Sequence, residues 1–194
     1  MLNIIAGSLS VGVAPVTSSY ESIATVTVGA GGSSSISFTS IPSTFTHLQI
    51  RGIFRSDRAS SSAQADALSI QYNSDASTSY RGHSLFGNGA TASAGTSTGI
   101  YANYLDVTPG ATSLSSTFAS AVIDILDYTN TSKTKVMRGL SGCDLNGSGV
   151  AVFSSGMWPV SNQAISSIKL QVVGSIVDNF VQYSSFALYG IKGA

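Results

Sequence analysis

The sequence predicts an all-β protein, a jelly-roll-like antiparallel β-sandwich with an extended N-terminal arm. Short apolar or alternating runs recur between turn-forming residues, as they do in sandwich folds. Serine and threonine fill more than a quarter of the 194 residues, and with 20 glycines they suit turns and the solvent faces of strands. One glutamate and four lysines are too few to build the charged face of a surface helix.

About eleven strands are expected along a single domain of this length. They are residues 20–28, 35–41, 47–55, 67–73, 80–87, 99–107, 117–128, 134–142, 149–158, 165–173 and a closing strand within 183–193. Between two of them, the small residues of 87–98 predict a long, exposed loop.

The strand predicted at 117–128 has the alternation of a sandwich strand. One side is mixed, with Ser120 and Asp124 among apolar residues, and should face solvent. The other side is wholly apolar and should face the core. Its residues are Ala119, Ala121, Ile123, Ile125 and Tyr128.

The closing segment, YSSFALYGIKG, has apolar residues on both sides of a strand, which is typical of a central position in a sheet. Its natural neighbour is HLQIRGIFR, the strand predicted at 47–55. Pairing the last strand with an early one would hide a sheet edge and fix the C-terminal residues.

Two glycine-rich connectors, residues 29–34 and 146–149, supply the positive-φ residues that hairpins require. The second belongs to DLNGSG, which also has oxygen ligands near glycines, as calcium loops do. It lacks the spacing and the closing glutamate of such a loop, so a hairpin turn at Asn146 and Gly147 is the preferred interpretation.

Charged residues make up only 9% of the chain, with nine basic and nine acidic groups and a formal net charge of zero. Such a surface resists association poorly, which indicates a protein that functions in an assembly. Nucleic acid is an unexpected partner, because the densest basic cluster, Arg51, Arg55 and Arg58, is small and contains Asp57.

The N-terminal residues 1–18 form a predicted apolar arm, and residues 19–194 form the sandwich domain. No run of 18 apolar residues predicts a membrane span. The start of the arm superficially resembles a signal peptide, but it lacks a basic n-region, so export by a standard secretory route is not supported.

The arm has too many apolar side chains to leave in water without a partner. We expect it either to pack on its own domain as an edge strand or, as the preferred interpretation, to dock on another chain by strand addition or in a groove. The candidate partner-binding residues are Leu2, Ile4, Ile5, Leu9, Val11 and Val13.

No catalytic or cofactor-binding residue is assigned, and no enzyme activity is expected. Asp124 and Asp127 are three apart on one predicted strand and would face opposite sides of the sheet. Asp57, Asp66 and Asp75 would need converging loops to act together, and such residues are usually turn formers. A serine nucleophile motif, Gly-x-Ser-x-Gly, is missing from the sequence.

No metal site is expected either. His47 and His83 do not form a metal-ligand pattern with Cys143. Because Cys143 is the single cysteine, an internal disulfide is excluded, and we expect a buried, inert thiol. Most of the aromatic residues that remain should pack in the core, and few should stack on a sugar or a partner. They are Tyr72, Tyr80, Phe86, Tyr101, Tyr104 and Trp158.

Three segments together resemble a group of tailed-bacteriophage virion structural proteins. They are YESIATVTVGAGGSSSISFTSIPSTFTHLQIRGIFRSD, YNSDASTSYRGHSLFGNG and MWPVSNQAISSIKLQVVGSIVDNFVQYSSFALYGIKG. The resemblance covers most of residues 20–193 in order, and the first 19 residues lie outside it.

The resemblance implies a β-sandwich protein of the virion exterior that is not an enzyme. Its expected role is capsid decoration, or cement, with the major capsid protein or another virion protein as partner and a homotrimer as the guessed oligomer. The alternative is a tail-fibre or receptor-binding module whose loops at 56–65 and 87–98 contact the host. A polysaccharide-cleaving enzyme is the least favoured alternative.

Overall fold

The computed structural model describes residues 18–101, 103–174 and 178–193, and these residues form twelve β-strands and no helix. The strands are β1 (Tyr20–Thr27), β2 (Ile36–Phe38), β3 (His47–Phe54), β4 (Asp66–Tyr72), β5 (Arg81–Gly87), β6 (Ala92–Thr98), β7 (Tyr104–Thr108), β8 (Ala119–Leu126), β9 (Lys135–Asp144), β10 (Gly149–Trp158), β11 (Ile168–Val173) and β12 (Ser185–Ile191).

The strands form two sheets in which every neighbouring pair is antiparallel. The large sheet has the order β1-β12-β3-β8-β9-β10-β5-β6, and the small sheet has the order β2-β11-β4-β7. Apolar side chains from the facing sides of both sheets share one buried core. The protein is therefore an all-β antiparallel sandwich, as the sequence predicts.

Two hairpins account for the unequal size of the sheets. When β5–β6 and β9–β10 are set aside, eight strands remain, in the orders β1-β12-β3-β8 and β2-β11-β4-β7. We interpret this order as a jelly-roll arrangement of eight strands. The two hairpins then extend one sheet beyond it, from β8 to β6.

The core is built from alternate residues of each strand. In β8, Ala119, Ala121, Ile123 and Ile125 are buried, and Tyr128 just beyond the strand is buried too. The apolar side predicted for residues 117–128 is thus confirmed as the core side.

The closing strand β12 lies between β1 and β3 and pairs with both. Phe186 lies opposite Gly52 in β3, and the other pairs follow through Ile191 and His47. The predicted pairing and the interior position are both confirmed. Phe186 and Leu188 are fully buried, whereas the other side of the strand is only half-buried.

Two expectations about connectors are wrong. Residues 87–98, predicted as a loop, contain β6, which pairs with β5 over its whole length. Small residues such as Gly95 and Ser97 have a weak strand signal, and cross-strand pairing overrides it. Residues 29–34 do not close a hairpin, because β1 and β2 belong to different sheets. Gly32, with φ 68°, turns the chain between the sheets instead.

The hairpin turn predicted between β9 and β10 is confirmed. Asn146 and Gly147 both have positive φ, at 59° and 112°, as a two-residue hairpin loop requires. The Leu145 amide donates to the Ser148 carbonyl at 2.7 Å. Asp144 accepts a hydrogen bond from the Asn146 amide at 2.8 Å, so it serves the turn.

The predicted N-terminal arm lies outside the described residues, and so do all its candidate partner-binding residues. These are Leu2, Ile4, Ile5, Leu9, Val11 and Val13. Their role stays a prediction. In the described part of the chain, no helix has the length and apolar character needed to cross a membrane.

Candidate interaction surface

The outer face of the large sheet, the side away from the small sheet, carries a continuous row of apolar side chains. Leu85 in β5 lies opposite Phe153 in β10. Phe153 in turn lies opposite Leu140 in β9, and Leu140 lies opposite Val122 in β8. Ala94 continues the row in β6, at the sheet edge. We call Leu85, Phe153, Leu140 and Val122 the apolar row.

The apolar row is exposed to solvent. Leu140 is 63% exposed, Leu85 55% and Phe153 45%, although directly opposed residues in a sheet normally shield each other. Isolated exposed leucines are ordinary on protein surfaces, but a contiguous apolar group marks an interaction site. Three of the four row residues lie on the two hairpins that extend the large sheet.

A strip of small residues borders the apolar row on one side. Gly87, Ala151, Gly142 and Ser120 lie opposite one another across β5, β10, β9 and β8. A cleft of about 750 Å³ opens there, lined also by the hairpin turns at Asn88–Gly89 and Gly147–Ser148. The apolar row therefore stands beside a cleft, and this shape can complement the surface of a partner.

Polar groups border the apolar row on its other side and are tied to one another. The Gln49 amide donates to Asp124 at 2.8 Å and accepts from the Tyr20 hydroxyl at 2.7 Å. Asp124 also accepts from Arg138 Nε at 3.3 Å. The network crosses five strands, β1, β12, β3, β8 and β9, so it holds this part of the face in one arrangement.

Arg51 and two tyrosines complete this border. The Tyr20 and Tyr189 rings stack with centroids 4.8 Å apart, and the Arg51 guanidinium lies 5.7 Å and 6.0 Å from them. Burial raises the pKa of Tyr20, and the Arg51 charge opposes that shift. The phenol therefore stays protonated at neutral pH and donates to Gln49.

The three arginines of the basic cluster do not form a shared patch. Arg51 lies on the outer face, whereas Arg58 binds Asp66 at 2.9 Å. Arg55 is buried and donates to backbone carbonyls of one loop. Those carbonyls belong to Ala111, Ser113, Leu114 and Thr117. Each guanidinium is thus engaged in a different part of the molecule.

Of the three aspartates predicted to lie in loops, Asp57 and Asp66 lie near residues 178–179, although Asp66 is the first residue of β4 and not a loop residue. Asp57 accepts from the backbone and side chain of Asn179, at 2.8 Å and 2.7 Å. Asp66 and Asp178 both contact Arg58, at 2.9 Å and 3.5 Å. Burial and the neighbouring Asp66 raise the pKa of Asp178, and Arg58 opposes the rise. Asp178 is a member of this cluster that the sequence did not indicate.

Asp75, the third loop aspartate, lies elsewhere. It accepts a hydrogen bond from Trp158 Nε1 at 2.6 Å, and Trp158 is one of a group of buried aromatic residues. Tyr72 and Tyr80 belong to this group, and the Tyr72 ring lies 5.6 Å from that of Trp158. The expectation that most of the aromatic candidates pack in the core is confirmed for these three.

Asp124 and Asp127 have separate partners. Asp127 follows the end of β8, with φ 48°, and pairs with Lys133 at 2.8 Å. This ion pair, with His47 nearby, holds the pKa of Asp127 below its usual value. Asp124, within β8, belongs to the polar border of the outer face. The pair therefore does not form one site.

The histidines and the cysteine are placed as predicted. His47 begins β3 and accepts a hydrogen bond from the Asp127 amide at 3.0 Å, and His83 lies within β5. Cys143 is buried, and burial raises its thiol pKa, which disfavours the reactive thiolate. Among the described residues, no group of three histidine, cysteine or acidic side chains could hold a metal ion.

The sequence contains a signal for the apolar row, but the signal is not visible when each strand is considered alone. The mixed sides of three successive strands include Val122, Leu140 and Phe153, where a solvent-facing side would be polar. Each exception is unremarkable alone, and only the cross-strand register brings them together. Apolar residues at matching solvent-facing positions of neighbouring strands therefore indicate an interaction surface of this kind.

No protein-family model, curated protein or solved structure matches the chain. The resemblance to virion proteins therefore stays a prediction.

Proposed function

We propose that the protein is a capsid decoration protein, or cement, that binds the outside of a bacteriophage head and stabilises contacts between capsid subunits. The observation that carries the proposal is the exposed apolar row across β5, β10, β9 and β8. A broad, regular sheet face fits a partner that is itself broad, such as a protein shell.

The charge of the chain supports the same role. The face has few charged groups, and Asp124 and Arg138 are paired with each other. Docking such a face on a protein surface removes little charge from water, so the desolvation cost is small. A stable contact needs over about 1,000 Å² of buried surface, and repetition around a symmetric shell adds avidity.

The N-terminal arm has a second role in the proposal. Its apolar residues, beginning with Leu2 and Ile4, would bind the major capsid protein or a neighbouring copy. Deleting residues 1–16 is expected to abolish binding to particles while the domain stays folded. If the shortened protein unfolds, the arm belongs to its own core.

The number of copies of the protein in each particle tests the proposed cement role directly. Quantitative mass spectrometry of purified particles is expected to give on the order of hundreds of copies in fixed ratio to the major capsid protein, since cement follows shell symmetry. A few dozen copies or fewer would contradict the proposal.

Matched leucine variants test the face. Leu140→Asp places a charge in the apolar row, and Leu114→Asp places the same charge at an exposed leucine in a loop. We expect the first variant to bind particles at least about ten-fold more weakly and the second to bind normally, because only the first buries a charge. Equal binding by both variants would exclude the apolar row as the contact.

A receptor-binding or tail-fibre module is the second candidate, and the cleft of about 750 Å³ favours it. Its lining combines turn backbone with Asn88 and Asp144, groups that can hydrogen-bond to a polar ligand. A low copy number on the tail, together with loss of host attachment when Ser120 in the cleft is replaced by arginine, would select this function over cement.

A further inference from the structure

Three of the four sheet edges carry features that prevent further strand pairing. β1 has a bulge between Ser22 and Ala24 and an ion pair between Glu21 and Lys192, at 2.6 Å. β2 is only three residues long. β7 has an irregular register with β4 and contains Asp106. Bulges, short strands and charges are the usual protections of an edge.

The fourth edge, β6, has none of these protections. Its seven residues, ASAGTST, include no charge, no proline and no bulky side chain. They pair with β5 in unbroken register, from Ala92 opposite Gly87 to Thr98 opposite Arg81. No described residue pairs with the other side of β6. A long, regular and uncharged edge is a template for another strand.

The hydrogen bonds at both ends of the β5–β6 ladder define which backbone groups face the open edge. The Asn88 amide donates to the Thr91 carbonyl at 3.2 Å, and the Gly99 amide donates to the Tyr80 carbonyl at 3.1 Å. Hydrogen-bonded pairs alternate along an antiparallel ladder. The N–H and C=O groups that point away from β5 are therefore those of Ala92, Ala94, Thr96 and Thr98.

We propose that β6 pairs antiparallel with β6 of a second copy of this chain, around a two-fold axis at Gly95, which gives a dimer in place of the homotrimer guessed from the sequence. This register places Ala94 of one copy opposite Thr96 of the other, and Ala92 opposite Thr98. Each of these residues directs its free N–H and C=O toward its counterpart, so all seven residues of both strands are paired. No like charges meet, because the strand has no charge.

The register also determines how the two copies are oriented. The side chains of Ala94 and Thr96 lie on the outer face, so opposing them keeps both outer faces on the same side. The two-fold axis is then perpendicular to the sheet, and the two large sheets become one. Ala94, which continues the apolar row, lies at the junction. The dimer thus presents two apolar rows to a single partner surface.

The interface is self-complementary, which favours a second copy over an unrelated strand. One strand pair buries less than the roughly 1,200 Å² of a standard interface, so we expect a dissociation constant of micromolar order. The inference does not depend on the proposed virion role, since dimerisation is measured on the isolated protein.

Sedimentation velocity of the full chain from about 1 to about 200 µM tests the proposal, because this range spans the expected dissociation constant. Ala94→Lys and Thr96→Glu should each weaken the dimer at least about ten-fold, because lysine and glutamate block edge pairing. An equimolar mixture of the two variants should restore dimers, because the register places Lys opposite Glu. Thr25→Lys, on the protected β1 edge, is the matched control and should leave the dimer unchanged.

Several results would overturn the proposal. One is a monomeric wild-type protein at the highest concentration, and another is a dimer that Thr25→Lys weakens as much as Ala94→Lys does. Failure of the mixture to restore dimers would exclude this register. Loss of the dimer on deletion of residues 1–16 would assign the interface to the N-terminal segment instead. Circular dichroism melting of each variant separates these outcomes from misfolding.

Discussion

At the residue scale, two glycines make room for phenylalanine rings against neighbouring strands of the large sheet, β3 and β12. A Cβ atom at Gly52 would lie 2.4 Å from the Phe186 ring, and one at Gly190 would lie 2.3 Å from the Phe45 ring. Both distances are far below van der Waals contact. Gly52 and Gly190 are therefore the positions that let β3 and β12 pack under aromatic side chains.

Gly190→Ala is expected to lower the free energy of unfolding by about 1–3 kcal/mol, because the new methyl group overlaps the Phe45 ring. Urea unfolding of the variant measures this loss. Gly31→Ala is the control, since an added Cβ there meets nothing within 4 Å, and its stability should change by less than about 0.5 kcal/mol. Equal unfolding midpoints for the two variants would refute the steric explanation.

Asp178 makes a pH-dependent contribution to folding stability that is favourable at low pH, the opposite of the usual behaviour of an aspartate. Its pKa is raised in the folded protein by burial and by Asp66, so the folded state binds this proton more tightly than the unfolded state. The stabilising contribution is complete below the ordinary carboxyl pKa of about 3.9 and is lost as the pH rises through the raised value. Above that raised pKa, the ionised Asp178 carboxylate makes an unfavourable contribution to the stability of the fold.

Asp178→Asn is therefore expected to stabilise the fold at pH 7 and to give less advantage at pH 4. Urea unfolding at the two pH values provides the comparison. Asp144→Asn serves as the control, because Asp144 is exposed and an asparagine oxygen can still accept from the Asn146 amide. A variant that is less stable than the wild type at pH 7 would show that the Arg58 contact outweighs the repulsion.

At the element scale, strands with strong alternation were predictable and strands of small residues were not. β8 has an apolar residue at every second position from Ala119 to Ile125, so its core side follows from the sequence. β6 has only alanine, glycine, serine and threonine, and its pairing with β5 arises from the hairpin turn at Asn88. The residues of β6 by themselves therefore do not predict the pairing.

The interior position of β12 leads to a prediction about truncation. A chain that stops after Ser184 loses the strand between β1 and β3, along with the buried Phe186 and Leu188. We expect it to lose cooperative urea unfolding and the near-ultraviolet circular dichroism of packed aromatic rings. Deletion of residues 1–16 is the comparison and should preserve both signals. A cooperatively folded truncated chain would contradict a central role for β12.

At the scale of the whole molecule, the sandwich was predictable but its interaction surface was not. Composition and strand periodicity were sufficient for the fold class. The apolar row depends on neighbours such as Leu85 and Phe153, which are far apart in the sequence and meet only through the β5–β10 pairing. This pairing joins the β5–β6 hairpin to the β9–β10 hairpin, and no local sequence pattern predicts that the two hairpins belong to the same sheet.

The molecule as a whole has its core on one side of the large sheet and an apolar row on the other. The row is not needed to close the sandwich, which the small sheet already completes. Its exposure costs solubility in a chain of zero formal net charge. A surface that does not stabilise the isolated fold and does not favour solubility is best explained by a partner.

A density map of intact particles tests this explanation most directly. We expect the sandwich on the outside of the head, repeated with the symmetry of the shell, with Leu140 and Phe153 against capsid subunits. Density for the chain only on the tail, or on the head with the apolar row facing solvent, would contradict it.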